Sequence, residues 1–198
     1  MASRRSRDVR YAELVSAAAT VFARQGVQHT LVSDIVRAAG VAQGTFYLYF
    51  KTKDDMVLAV VDQLVESLQT SLAGAVRAEG LSAPERLRLL CDVLGGLTAV
   101  AGVPALVDFM HLPENRPLHD RLVAALAPRL ADLVEEVIRQ GVAEGQFDVP
   151  DARGAAWFVL SGLQGTEFSG TPLAEAPKAL RSAAELALRA LGHRGEGS

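Results

Sequence analysis

The chain has 198 residues, with 20 Lys and Arg against 23 Asp and Glu, 49% apolar residues and 6% aromatic ones. That length buries a sizeable core in one large or two small domains, and this apolar content beside 22% charged residues excludes global disorder. A single cysteine excludes an internal disulfide scaffold and a Cys-rich zinc module. The net charge of -3 hides an asymmetry. Residues 1–53 carry eight Lys/Arg and three acids, a net of +5, whereas the remaining 145 hold 12 basic and 20 acidic residues, a net of -8. A polyanion is therefore attracted to the front end of the chain and repelled by the rest.

Periodicity is helical throughout, so the sequence predicts an all-α fold of about nine helices. Residues 1–6 read as a disordered basic tail. The apolar run that follows has the outline of a secretory leader, but Asp8 and Glu13 interrupt it. Ala12, Val15, Ala18, Ala19 and Phe22 recur at helical spacing instead, and Gly26 ends this first helix. A second helix closes at Gly40 and a third begins at Ala42. Thr52-x-x-Asp55 has the form of a capping box and opens a long helix to about Glu79. Ser82-Ala83-Pro84-Glu85 starts the next, ending near Ala101, and a shorter one runs from Pro104 to about His111. Residues 113–117 form a Pro-bounded loop. A helix over 118–143 is expected to kink at Pro128, and two more cover about 151–168 and 172–191. The last residues, 192–198, read as a second disordered tail. Val93 to Val107 lacks charge, but its 15 residues and its Gly and Pro fall short of a membrane helix. The expected product is a cytoplasmic protein with no membrane partner.

The informative segment runs from Thr30 to Lys53. Ile35 and Ala39 share a face of one helix, Gly40-Val41 makes a tight turn, and a short helix follows. On a helical wheel Phe46, Tyr49 and Phe50 form one face, an aromatic anchor, while Gly44, Tyr47 and Leu48 form the opposite one. Helix, Gly turn and short second helix is the helix-turn-helix pattern, whose second helix enters the DNA major groove. Gln43 can pair with an adenine edge, Thr45 can reach a base or a phosphate, and Gly44 lets the backbone approach the duplex. Tyr47 and Tyr49 suit a groove margin, and Lys53, at a helix start, suits a phosphate.

These residues resemble the DNA-binding domain of TetR-type transcriptional regulators. The family pattern is matched by Gly26, Thr30, Ile35, Ala39-Gly40-Val41, Gly44-Thr45-Phe46-Tyr47-Leu48-Tyr49-Phe50 and Lys53, over about 45 residues. The resemblance implies a DNA-binding domain over 7–52, with its helix-turn-helix at about 31–50, and a ligand-binding and dimerisation domain over 53–191. It implies DNA contacts from Thr30, Gln43, Thr45, Tyr47, Tyr49 and Lys53, and Ser33, Gly44, Leu48 and Lys51 complete the expected DNA-binding set. Leu31, Val36 and Ala42 depart from the family's usual residues, and Ala42 is a poor N-cap for the reading helix, costing about 1 kcal/mol.

In such regulators the C-terminal helices bind a small molecule and form the homodimer. The last two helices carry more apolar residues than one core-facing stripe needs, which points to burial on two sides. The expected dimer surface is Ala155, Phe158, Gly162, Leu173, Leu180, Ala184, Ala187 and Leu191. Cys91, Leu94, Thr98, Phe109, Met110, His111, Trp157, Phe158 and Phe168 mix apolar bulk with a few polar atoms and are the expected ligand chamber, with room beside Gly95 and Gly96. The expected partners are a pseudo-palindromic double-stranded operator, an unidentified small-molecule effector and a second copy of the chain.

Enzyme chemistry finds little footing. None of the four histidines has an i, i+4 partner, so no zinc pair lies on a helix, and no cofactor or metal is expected. Cys91 lies in an apolar helix and reads as an inert thiol. No phosphate-cradling glycine loop or nucleophile elbow occurs, and the Gly162/Gly165 pair falls within a helix, where it serves packing.

Overall fold

The computed structural model describes residues 2–168 and 171–194, with described side chains excluding those of residues 2–6, 121, 125 and 166–168. Among these residues the chain forms nine α-helices and no strand: α1 (Ala2–Gln25), α2 (Val32–Ala38), α3 (Gln43–Tyr47), α4 (Lys53–Val76), α5 (Ala83–Gly96), α6 (Val103–Met110), α7 (Arg116–Ala143), α8 (Ala152–Phe168) and α9 (Ala176–Ala190). Short 3₁₀ turns at Leu97–Ala99, Pro113–Asn115 and Leu173–Glu175 prolong or precede helices.

The predicted stops hold for clear reasons. Gly26, at φ +79°, and Gly40, at φ +64°, take the left-handed conformation that ends α1 and α2. The Asp55 carboxylate accepts from the Lys51 and Thr52 amides at 3.0 Å, while the Asp55 amide donates to the Thr52 hydroxyl at 3.0 Å, completing the expected capping box. Glu85 does the same work for α5, accepting from the Ser82 amide at 2.8 Å and its hydroxyl at 2.6 Å. Three expectations change. Helix α1 begins at Ala2, so its backbone is helical where a tail is expected; Met1 and the C-terminal residues 195–198 lie outside the described residues. At the other end, the Gly192 and His193 amides still donate to the Arg189 and Leu188 carbonyls. Helix α7 runs through Pro128 and takes in part of the expected 113–117 loop.

The chain divides into two compact units, 1–66 with 99–119 and 67–98 with 120–198, with breaks inside α4, in the turn after α5 and inside α7. In the first unit Leu14, Phe22, Ile35, Phe46 and Met56 are fully buried, and α6 packs on α1. A Cβ on Gly102 would meet the Ala19 carbonyl and the Ala23 Cβ at 3.3 Å, which is why a glycine starts α6. The second unit has an aliphatic core, with Leu72, Leu87, Ile138, Leu188 and Leu191 at its centre. Among the described residues no single helix is long and apolar enough to cross a membrane.

Candidate nucleic-acid interface

Helix α3 has only five residues, too few to persist alone, so packing must hold it. Ala42 precedes it in extended conformation and offers no side-chain cap. The turn continues beyond the helix, with the Tyr49 and Phe50 amides donating to the Phe46 carbonyl at 3.0 Å. Phe46 and Phe50 are buried, with ring centroids 5.5 Å apart, and Tyr11 of α1 adds a ring 5.2 Å from Phe50 and 6.3 Å from Tyr49. Burying each phenylalanine contributes about 1.5–3 kcal/mol. These contacts fix which side of the rod is free. Tyr47 is 54% and Leu48 73% exposed, and Gln43 and Gly44 lie open beside them. A Cβ on Gly44 would meet nothing within 4 Å, so the fold does not require its bareness. Thr45 and Tyr49 are half-buried on the flanks, Ser33 is half-buried in the first turn of α2, and Lys51 is exposed.

Two of the expected contact residues also bond within the unit. Thr30 is fully buried; its hydroxyl donates to the Gly26 carbonyl at 2.7 Å and is turned away from solvent. The Lys53 ammonium lies within hydrogen-bond distance of the carbonyls of Val27 at 3.0 Å, Thr30 at 3.2 Å and Gln28 at 3.4 Å. Both side chains bond to carbonyls of the α1–α2 loop.

The sequence reading passes over four residues that shape this surface. Gln25 donates from one amide nitrogen to the His29 carbonyl and to the Asp34 carboxylate, each at 3.2 Å, linking the end of α1 to the start of α2. Asp34 also accepts from the Leu31 amide at 3.1 Å, supplying the cap that Leu31 lacks. That amide bond, helped by Gln25 and the charges of Arg37 and Arg24, holds the Asp34 carboxyl below its usual range. The Arg7 guanidinium lies 5.8 Å over the Tyr49 ring, placing a cation beside the reading segment. Arg7 and Tyr11, one helical turn apart, are the sequence signal for this arrangement. Burial, with Asp62 and Glu66 nearby, pushes the Tyr11 hydroxyl above its ordinary value.

Comparison with known proteins settles what this unit is. Residues 14–60 match the family model "Bacterial regulatory proteins, tetR family", and residues 80–167 match "Tetracyclin repressor-like, C-terminal domain". The "HTH-type transcriptional repressor KstR2" of Rhodococcus jostii is 30% identical over 144 residues, covering 70% of this chain and 68% of its own. The chain belongs to the TetR family. The "Fatty acid metabolism regulator protein" of Bacillus subtilis is 28% identical over 143 residues, covering 70% of this chain and 71% of its own. Among solved structures, a transcriptional regulator from Cytophaga hutchinsonii shares the fold with a TM-score of 0.76 at 16% identity, covering 90% of this chain and 96% of its own. The FadR regulator of Bacillus subtilis, solved with stearoyl-CoA, follows at a TM-score of 0.66 and 21% identity, covering 90% and 97%. This TetR-family protein is a DNA-binding transcriptional regulator, and the family is not one of enzymes.

The effector residues expected from sequence scatter. Cys91 is buried in the aliphatic core, where burial pushes its thiol up to about 12, so it carries no thiolate at neutral pH. Leu94 packs against that core, and the Thr98 hydroxyl donates to the Gly95 carbonyl at 3.0 Å. The space beside Gly95 is taken by Pro177 of α9, whose Cα would lie 3.0 Å from an added Cβ, whereas Gly96 faces open space. Trp157 and Phe158 are exposed, and the Phe168 side chain lies outside the described residues. In the first unit Met110 is buried and His111 exposed, its ring 5.4 Å from that of His119. Phe109 lines an open cleft with Gly26, Val27, Gln28, His29, Ala105, Asp108 and Leu112, which lies against the α1–α2 loop.

The expected dimer residues also divide. Ala184, Ala187 and Leu191 are buried in the protomer's own core, and Leu180 and Ala155 pack against it. Leu173 is half-buried. Phe158, 65% exposed, and Gly162 face outward from α8, and Leu186 of α9, which the sequence reading does not single out, is 62% exposed.

Proposed function

We propose that this TetR-family regulator is a cytoplasmic homodimeric repressor that a small molecule releases from a pseudo-palindromic operator. The observation that carries the reading is the free face of α3, where Gln43, Gly44, Tyr47 and Leu48 stand open on a rod anchored by Phe46 and Phe50. Gln43 and Tyr47 meet base edges and the groove margin, Thr45 and Tyr49 flank them, and Lys51 and Ser33 reach the backbone. Two such heads reading one side of a duplex need half-sites about 34–36 Å apart, or a multiple of that, and hence a two-fold assembly.

The second unit supplies a surface for that assembly. Phe158, Leu186 and Trp157 are large apolar side chains left in solvent, and Gly162 and Gly165 on α8 meet nothing within 4 Å of an added Cβ. An exposed apolar patch beside bare backbone suits a second copy of α8 and α9. The comparisons support ligand control: a Bacillus subtilis relative is named a fatty acid metabolism regulator, and the Bacillus subtilis FadR structure was solved with stearoyl-CoA. A coupling of about 1–3 kcal/mol between effector and operator changes DNA affinity about 5–150-fold.

The test begins with a duplex selected from a random-sequence pool by the purified chain. Sedimentation of the complex should give two protomers per duplex, and Phe158→Asp should yield a folded monomer that binds the same duplex much more weakly. Titration with stearoyl-CoA, and then with a panel of small metabolites, should raise the melting temperature and lower duplex affinity together. A monomeric wild-type chain on a non-repeated site would contradict the dimer, and an affinity indifferent to every stabilising ligand would contradict release.

A further inference from the structure

We infer that Arg7 is a further DNA contact, a guanidinium that rests on the Tyr49 ring beside the reading helix and forks onto a backbone phosphate of the duplex. The inference rests on the reading of α3 as the DNA-contacting element and extends that surface to the first turns of α1.

Spaced by three and four residues, Val21, Ala18, Leu14, Tyr11, Arg7 and Arg4 hold successive positions along one face of α1. Val21, Ala18 and Leu14 are buried, Tyr11 is 41% exposed and Arg7 is exposed. The core of the unit therefore ends at Tyr11, while α1 runs on for about two turns beyond it. Over those turns the face that packed inward changes from apolar to cationic, which suits an anion rather than more protein. The Tyr11 ring lies 5.2 Å from Phe50 and 6.3 Å from Tyr49, so this face of α1 is turned toward the end of the reading segment. There the Arg7 guanidinium lies 5.8 Å from the Tyr49 ring centroid, within range of a cation–π contact. Stacking orients the guanidinium plane and leaves its N–H groups for an acceptor, and a planar fork matches a phosphate. Among the described residues no carboxylate pairs with Arg7, whereas Glu13 holds Arg10 at 2.6 Å. Tyr49 flanks the open face of α3, and a helix in the major groove has phosphates along both of its flanks. The cation thus stands where a groove wall would pass, on the end of the chain that carries the net positive charge.

Salt dependence tests the assignment. Each phosphate contact contributes about 0.9 to the slope of log affinity against log salt. Binding is measured from low to high salt for the full chain and for Arg7→Gln, Arg7→Lys, Arg10→Gln and Tyr47→Ala, on a duplex selected from a random pool by the wild type and on one of unrelated sequence. Arg7→Gln should lower the slope by about 0.9 for each head on the duplex and weaken binding about tenfold. The loss should be the same on both duplexes, because a phosphate carries no sequence information, and the melting temperature should not move. Arg7→Lys should keep the slope, and Arg10→Gln should leave slope and affinity near those of the parent. An unchanged slope in Arg7→Gln would overturn the inference, and so would equal flattening by Arg10→Gln. A lowered melting temperature with weaker binding at the parental slope would also overturn it, since the stack would then serve only the fold. Tyr47→Ala separates this outcome from failure of the α3 reading. If it binds like the parent while Arg7→Gln flattens the slope, the reading of α3 falls and the Arg7 contact stands. If it weakens binding while Arg7→Gln keeps the slope, the Arg7 contact alone falls. A wild-type chain that binds no duplex even at low salt contradicts both.

Discussion

The unit that holds α3 and the unit that holds α9 spend their side chains differently. The first builds a small scaffold from aromatic rings and loop carbonyls, and its free face carries Gln43, Gly44 and Tyr47 with Leu48. The second packs an aliphatic core tightly enough for Pro177 to touch Gly95, yet leaves Phe158 and Leu186 in water. A surface of mixed polarity on a rigid anchor suits a hydrated, charged duplex. A bare apolar surface suits another protein. The two units present different kinds of outside, and that difference is what the account depends on.

The sharpest way to break it is Phe46→Ala. Removing a fully buried ring from the anchor should cost about 3–5 kcal/mol and abolish DNA binding, and the first unit should lose its protection in amide exchange well before the second. If both units lost protection equally, the separation between them would be wrong. Gly141→Ala probes the other side. An added Cβ would run into the Phe147 ring, so overpacking of about 1–3 kcal/mol is expected, lowering the melting temperature without changing DNA contacts.

Acid should act on both units through their helix caps. The Thr52 amide holds the Asp55 carboxyl below its usual range, and the Ser82 hydroxyl does so for Glu85, as the Leu31 amide does for Asp34. A carboxyl lowered in the folded chain contributes stability above its unfolded value, near pH 4, that is lost as pH falls through the folded value. Melting temperature should therefore fall on acidification below about pH 4, and Asp34→Asn should flatten that dependence in the first unit. The smallest effect is at the α5–α9 contact, where Arg88 meets Glu185 at 2.6 and 3.2 Å with both side chains partly in water. Arg88→Ala should cost about 0.2–1 kcal/mol, less at high salt.

Much of α3 was legible because its signals are local. Gly40 must turn the chain, and the spacing of Phe46, Tyr49 and Phe50 decides which face is anchored. The bonds from Lys53 to the α1–α2 loop were not, since they join residues up to 26 apart. The burial of Thr30 was hidden for the same reason: a hydroxyl gives no sign in sequence that it points at a carbonyl four residues back. In and just after α9 the excess of apolar residues was real, but sequence could not say that Ala184, Ala187 and Leu191 are buried in the core while Leu186 faces water. The glycines misled in the opposite direction, because room beside Gly95 is used for a neighbouring helix instead of a ligand. Pro128 lies inside α7, which continues on both sides of it as a single helix, as the periodicity over 118–143 predicts.

The most direct test of the central claim is equilibrium binding of the selected duplex by Gln43→Ala and Tyr47→Ala at matched salt, with melting temperature measured in parallel. Each variant should keep its stability to within about 0.5 kcal/mol, since both positions are exposed, while losing about 1–3 kcal/mol of affinity per head. Undiminished binding by both variants would mean that the open face of α3 does not touch DNA.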